Sequence, residues 1–224
     1  MGVPTGMLVA VTQRVDRIAD RDETRDGLDQ RLLQWLVQSG FVPVPVPNGI
    51  ADPGATTEAE SLAARGRSPL LDDWLRSVRP AGLVLSGGNN IGAHADRDAT
   101  ERYLLSWARS QRVPVLGICR GLQMMATWAG GTLVEIAGHV RCRHPLAIDR
   151  NPDHWPDQVN SFHDWGLASC PAGFTVAARA NDGVIEALVH DDLPWEGWMW
   201  HPEREQPFAP RDTRRLRALF GQGH

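Results

Sequence analysis

The sequence predicts an α/β fold: a central, mostly parallel sheet with helices on both faces and an antiparallel C-terminal portion. Three observations carry this. Short apolar runs alternate with amphipathic helical patterns through the first half of the chain. The runs are continuously apolar, as strands covered on both faces must be. The second half changes character, with strand-like pieces set among Trp, Pro, Asp and His.

Each element follows from its local pattern. MLVAVT (7–12) reads as a strand. DGLDQRLLQWLVQSG (26–40) reads as a helix with Leu28, Leu32, Leu33, Leu36 and Val37 on one face and Gly40 as its stop. FVPVPVPN (41–48) is a proline-interrupted strand, which belongs near an edge because proline cannot donate to a ladder. Residues 49–68 form a polar connection. PLLDDWLRSV (69–78) is a short helix, and AGLVLSGG (81–88) a buried strand running into a glycine turn. DATERYLLSWARSQR (98–112) is a helix, VPVLGI (113–118) a strand, and 121–129 a helix ended by Gly130 and Gly131. TVAARA (175–180), VIEALVH (184–190) and GWMW (197–200) read as strands in antiparallel or mixed pairings, and DTRRLRALF (212–220) as a last helix. No linker separates the halves, so residues 1–224 are expected to form one domain.

Composition narrows the function classes. The chain has 224 residues, 42% hydrophobic, with net charge −4 and no long basic block, so no nucleic-acid partner is expected. No run reaches the length of a membrane span, and the N-terminus lacks the charged region of a signal peptide. The three cysteines, Cys119, Cys142 and Cys170, form no CxxC pair. A reduced, cytoplasmic protein is expected. All 23 basic residues are arginine, which excludes Schiff-base chemistry and a P-loop lysine within these residues. A GC-rich coding bias explains the missing lysines equally well.

Cys119 is the residue that most demands an explanation. It lies between Gly117 and Gly121, where a strand becomes a helix with almost no loop. Ligands of open α/β sheets bind beyond the carboxyl ends of the strands. A tight turn there lifts the side chain out, and the helix N-terminus favours a thiolate. The pattern is that of a G-x-S-x-G elbow with sulfur for oxygen. A buried structural cysteine is the plainer alternative, but the strand before and the helix after favour a nucleophile.

A thiol nucleophile needs a base, and the base an orienting acid. WMWHPERE (198–205) offers His201 and Glu203 two residues apart, which on a strand share a face. The other histidines read more plainly. His94 and His154 are loop residues, His190 ends a strand, and His224 is terminal. His139 and His144 flank Cys142 at a spacing that fits no standard metal site, and they read as a surface or pocket-lining loop. No metal or cofactor is implied. SGGNN (86–90) follows a buried strand at the same sheet edge, so its N–H groups, with that of Arg120, are candidate oxyanion donors; a plain turn is the alternative. Gln123 lies one turn into the helix and is either a pocket residue or a solvated one.

The order SGG, GICRGLQ, HPE resembles that of class I glutamine amidotransferase domains. GICRGLQ, GGTL (130–133), VNSFHDWG (159–166), DGVIEA (182–187) and WHPE (200–203) are similar in style to the γ-glutamyl-γ-aminobutyrate hydrolase group, peptidase family C26. The resemblance implies a flavodoxin-like fold and a γ-glutamyl thioester on Cys119, with His201 and Glu203 completing a catalytic triad. It also implies oxyanion N–H groups from Gly88 and Arg120. Gln123, Ser161, Phe162 and His163 would hold the α-amino and α-carboxylate ends of the glutamyl group, partly through backbone. TQRVDRIADRDETRDGLDQ (12–30), LSGGNN (85–90) and MWHPERE (199–205) are similar to γ-glutamyl-CDP-amidate hydrolases, which act in capsular polysaccharide decoration. The Arg/Asp cluster at 14–31 would then face a phosphorylated leaving group, or else be a solvated loop and helix start.

The implied partner is a small γ-glutamyl substrate, with a homodimer left open. A γ-glutamyl-γ-aminobutyrate hydrolase, a glutaminase subunit delivering ammonia to a separate synthase, and an inactive binding module are the alternatives.

Overall fold

The computed structural model describes residues 6–51, 68–149 and 155–221. Most of the predicted 49–68 connection, His154 and His224 lie outside these. Thirteen strands are assigned in chain order: β1 (Met7–Thr12), β2 (Arg14–Ile18), β3 (Glu23–Gly27), β4 (Phe41–Val46), β5 (Gly82–Leu85), β6 (Val115–Ile118), β7 (Leu133–Glu135), β8 (Val140–Ile148), β9 (Gln158–Phe162), β10 (Trp165–Leu167), β11 (Phe174–Ala180), β12 (Ile185–His190) and β13 (Trp195–Trp198). The α-helices are α1 (Gln30–Gln38), α2 (Pro69–Val78), α3 (Ala95–Gln111), α4 (Arg120–Trp128) and α5 (Pro210–Gly221).

Nine strands form one sheet in the order β4-β1-β5-β6-β13-β12-β11-β8-β9. It is parallel from β4 to β13 and antiparallel from β13 to β9. Proline-bearing β4 is an edge strand, as its sequence requires. Strand alternation divides the core. Ala10, Leu83, Leu85 and Val115 pack under Leu71, Leu75, Leu104, Leu105, Met124 and Met125 of α2, α3 and α4. Val9, Val11, Val84 and Leu116 face Trp35, Leu36, Leu216 and Phe220 of α1 and α5. Burying one such leucine contributes about 1.5–3 kcal/mol, so the two-sided cover explains the continuous apolar strands.

Three readings are corrected. The first helix starts at Gln30, where Asp29 caps the Arg31 N–H, and not at residue 26. Residues 14–27 instead form the β2–β3 hairpin, because Asn89 clamps Val15 through both its N–H and its C=O, each at 2.9 Å. The 138–148 stretch is not a loop: Val140–Ile148 is strand β8, paired on both sides. Trp200 and His201 lie beyond β13, and Glu203 belongs to a 3-10 turn over Pro202–Arg204. The turn, set by the Pro202 ring, brings the carboxylate back to the imidazole, which a strand face was expected to do.

Candidate active site

Cys119 stands between β6 and α4 with φ 51° and ψ −105°. Such a conformation costs a non-glycine residue about 1–3 kcal/mol, so the surroundings must impose it. They do so through a 2.7 Å hydrogen bond from the Cys119 N–H to the Trp198 carbonyl and one of 3.1 Å from the Gln123 N–H to the Cys119 carbonyl. Close packing also requires the flanking glycines. A Cβ on Gly121 would lie 2.2 Å from the Leu85 carbonyl oxygen, and one on Gly117 2.6 Å from Met125 Sδ. The Arg120 N–H is a first-turn donor that its own helix leaves without an acceptor.

The imidazole of His201 stands close enough to Cys119 for the two to influence each other's charge, and its Nδ1 lies 2.6 Å from Glu203 Oε1. All three residues are more than nine-tenths buried. Burial opposes a charged ring, but the Glu203 charge, the hydrogen bond to Glu203 and the nearby Cys119 outweigh it and raise the His201 pKa to about 10. The ring is fixed from behind. Asn160 Oδ1 accepts from the His201 N–H at 3.0 Å, and Asn160 Nδ2 donates to the His201 carbonyl at 2.8 Å. Phe162 stands edge-on to the ring, with centroids 5.8 Å apart. A Cβ on Gly87 would lie 2.7 Å from His201 Cε1, so the glycine turn after β5 abuts the imidazole.

That turn rests on buried charge. Arg97 Nη2 donates to the carbonyls of Ser86 and Gly87 at 2.9 and 3.0 Å, and its Nε donates to Glu101 at 3.1 Å. Arg120 pairs with Glu101 and Asp98, which directs its side chain into the protein and leaves only its backbone N–H at the elbow. Gly88 follows with φ 127°, a value that suits glycine; Arg97 and Arg14 fill the space a side chain would need.

The predicted glutamyl contacts divide. Gln123 Nε2 donates to the Trp165 carbonyl at 3.0 Å and ties α4 to β10. Ser161 Oγ donates to the His139 carbonyl at 2.7 Å, and His163 turns toward Glu186, so both side chains are engaged in the second half of the sheet, whereas Phe162 between them meets His201. The histidines flanking Cys142 are not surface loop residues: His139 is 3% exposed, and its ring stacks against those of His144 and His163 with centroids 4.9 Å away in both cases.

Sequence reasoning missed Asn160, Arg97 and Glu186. The i, i+4 spacing of Arg97 and Glu101 was a readable signal, as was a lone carboxylate inside the apolar run VIEALV. Asn160 gave none, since its role depends on β9 lying beside the turn after β13.

Comparison with known proteins bears on the fold and the family. The fold is that of the class I glutamine amidotransferases: the solved glutamine amidotransferase of Methylobacillus flagellatus matches with a TM-score of 0.59 at 17% identity, covering 95% of this chain and 74% of that one. The Peptidase C26 family model matches residues 78–203, and the chain belongs to that family. The gamma-glutamyl-gamma-aminobutyrate hydrolase of Escherichia coli O157:H7 is 26% identical over 202 residues, covering 79% of this chain and 78% of that protein. The gamma-glutamyl-CDP-amidate hydrolase of Campylobacter jejuni is 29% identical over 129 residues, covering 55% and 62%.

Proposed function

We propose that this protein hydrolyses the γ-amide bond of a small γ-glutamyl compound and releases glutamate. The observation that carries the reading is the strained Cys119 beside an imidazole that Glu203 grips at 2.6 Å. Cys119 attacks the γ-carbonyl as a thiolate. The N–H groups of Gly88 and Arg120 stabilise the tetrahedral oxyanion, a contribution of about 2.7–4 kcal/mol per donor. His201 gives its proton to the departing nitrogen, whose bond to carbon breaks as the thioester forms. It then takes a proton from water, which attacks the thioester and frees glutamate and the thiolate. Gln123, Phe162 and the backbone of Ser161 and His163 flank the glutamyl group.

For the leaving group we favour a phosphorylated one, as in γ-glutamyl-CDP-amidate. The support is Arg14. Its Cβ would lie 3.0 Å from a Cβ on Gly88, so its half-exposed guanidinium stands at the rim of the glycine turn. Arginine forks match phosphate oxygens. Asp16 holds the Arg14 Nε at 2.9 Å and leaves its Nη groups for a ligand.

The test is kcat/KM for γ-glutamyl-CDP-amidate, γ-glutamyl-γ-aminobutyrate and glutamine with the parent and with Cys119→Ala. The parent should prefer the phosphoramidate, and the variant should be inactive on all three. Parental rates in Cys119→Ala refute the mechanism. Preference for γ-glutamyl-γ-aminobutyrate refutes the leaving group alone. Glutamine turnover that appears only with an added synthase favours the glutaminase reading.

A further inference from the structure

On the far side of the 160–165 segment, three buried side chains and the partly buried His144 converge. Glu186 lies on β12 with no exposure, His144 on β8, His163 just after β9, and His139 just before β8. Glu186 Oε1 is 3.2 Å from His139 Nδ1, 3.4 Å from His163 Nε2 and 3.5 Å from His144 Nε2. None of these approaches has hydrogen-bond geometry. Both Glu186 oxygens, His144 Nε2 and His163 Nε2 are buried without a hydrogen-bond partner among the described residues. A carboxylate left so in a protein interior is strongly unfavourable.

The opposite ring nitrogens define what faces Glu186. His163 Nδ1 lies 3.0 Å from the Trp165 carbonyl, and His144 Nδ1 lies 3.2 Å from the Pro145 carbonyl. A carbonyl only accepts, so each Nδ1 carries a proton, and in the tautomer with a single ring proton Nε2 turns a lone pair toward the carboxylate. His139 Nε2 is likewise held by Asp182 Oδ2 at 2.9 Å. Three imidazoles are thus anchored through their outer nitrogens by a carboxylate or carbonyls, the arrangement that orients metal-binding histidines. The lone pairs of His144 and His163 face a buried anion, so a cation belongs among these groups: a proton on His139, which stands between Asp182 and Glu186, or a metal ion in its place.

The spacing states which cation. Zinc holds imidazole nitrogen and carboxylate oxygen at about 2.0–2.2 Å in a tetrahedron, whose edges are then about 3.3 Å. The separations from Glu186 Oε1 bracket that edge. The donor atoms of His139, His163 and Glu186 all lie within 4.8 Å of one another, so small ring rotations close the shell. Calcium and magnesium require six or more oxygens and do not suit three imidazoles.

We infer that His139, His163 and Glu186, with His144 as fourth ligand, form a binding site for a zinc-class divalent transition metal ion. It is separate from the Cys119 centre and gives the 160–165 segment a fixed back wall. Ser161 and His163 already hydrogen-bond to the His139 carbonyl, at 2.7 and 3.0 Å, so an ion here joins β8, β9 and β12 behind Asn160 and Phe162.

The experiment uses the full chain with Cys119→Ser, because a thiolate beside an imidazole and a carboxylate is itself a metal trap. The protein is stripped with chelator and titrated calorimetrically with Zn²⁺, then with Co²⁺ in a visible spectrophotometer. We expect one equivalent of Zn²⁺ at micromolar or tighter affinity and the intense d–d bands of tetrahedral Co²⁺. His163→Ala and Glu186→Gln should abolish both signals, and His94→Ala should leave them unchanged. Asp182→Asn, at a half-exposed position that does not threaten folding, should weaken Zn²⁺ binding about 10–100-fold. Absence of stoichiometric binding in Cys119→Ser, or binding indifferent to all three cluster substitutions, overturns the site and assigns the space to protons. Neither result bears on γ-glutamyl hydrolysis, since the test protein lacks the nucleophile.

Discussion

Asn160 grips His201 by both ends of its backbone, accepting from the N–H at 3.0 Å and donating to the carbonyl at 2.8 Å. The imidazole therefore takes its position from β9, an edge strand eight places along the sheet from β4. Asn160→Ala removes the clamp and leaves the buried His201 polar groups with fewer partners, a loss of about 1–3 kcal/mol. The expected outcome is a kcat reduced at least tenfold with KM little changed. Steady-state kinetics with a γ-glutamyl substrate, beside a thermal melt, measure both effects.

Glu203 supports the charged ring, while burial opposes it. With a pKa raised to about 10, the charged form of His201 persists through neutral pH and is lost as pH rises through that value. In Glu203→Gln the upward influence of the carboxylate disappears and the burial penalty stays. The basic limb of kcat/KM should then move to lower pH, and iodoacetamide should alkylate Cys119 more slowly at pH 7. An unmoved limb would contradict the role given to Glu203.

Gly87 is a sharper probe of the site than the elbow glycines. A Cβ there meets only the tip of the His201 ring, at 2.7 Å, whereas one on Gly121 meets backbone at 2.2 Å. Gly87→Ala should lower kcat by 100-fold or more with a melting temperature within a few degrees of the parent. Gly121→Ala should fail to fold or melt far lower, because backbone cannot yield as a ring can. Circular dichroism melts separate the two.

Asp212 carries a pH-dependent liability. Burial pushes its carboxyl up to about 7 from an ordinary 3.8, against the influence of Trp200 and Arg215 and with help from Glu205 and Glu203. A pKa raised in the folded state means that its share of stability is complete below 3.8 and lost as pH rises toward about 7. Asp212→Asn should therefore melt higher than the parent at pH 8, by roughly 3–10 °C for about 1–3 kcal/mol, and lose that advantage near pH 4. Melting curves from pH 4 to 8 decide it.

Arg14 tests the leaving group. Arg14→Ala should raise KM for a phosphoramidate substrate about tenfold and leave that for a γ-aminobutyrate conjugate near the parental value. Equal effects on both would remove phosphate from the argument.

The parallel half of the fold was legible because its strands are covered on both faces and its helices end at glycines that the turns use, Gly40 and Gly130 with positive φ. Cys119 was legible for the same reason: strand, turn and helix are contiguous in the chain. The β2–β3 hairpin was not. Its residues are charged, and it is held by Asn89, some 74 residues distant. β8 escaped notice because its alternation places arginines outward and His144 inward, a pattern that reads as polar throughout. The convergence of His139, His144 and His163 on Glu186 required three separate segments to meet, which no local spacing records.

Ile118 and Trp198 are paired neighbours in the centre of the sheet, and the Cys119 N–H continues that ladder to the Trp198 carbonyl at 2.7 Å. The sulfur thus hangs from a central rung of one lattice and the imidazole, three residues past Trp198, is tied to the same lattice by Asn160 of β9, while the β2–β3 hairpin attaches from outside it. Recognition can drift in the hairpin among descendants of this architecture without disturbing the sulfur, whereas change at Asn160 would reach the imidazole as well.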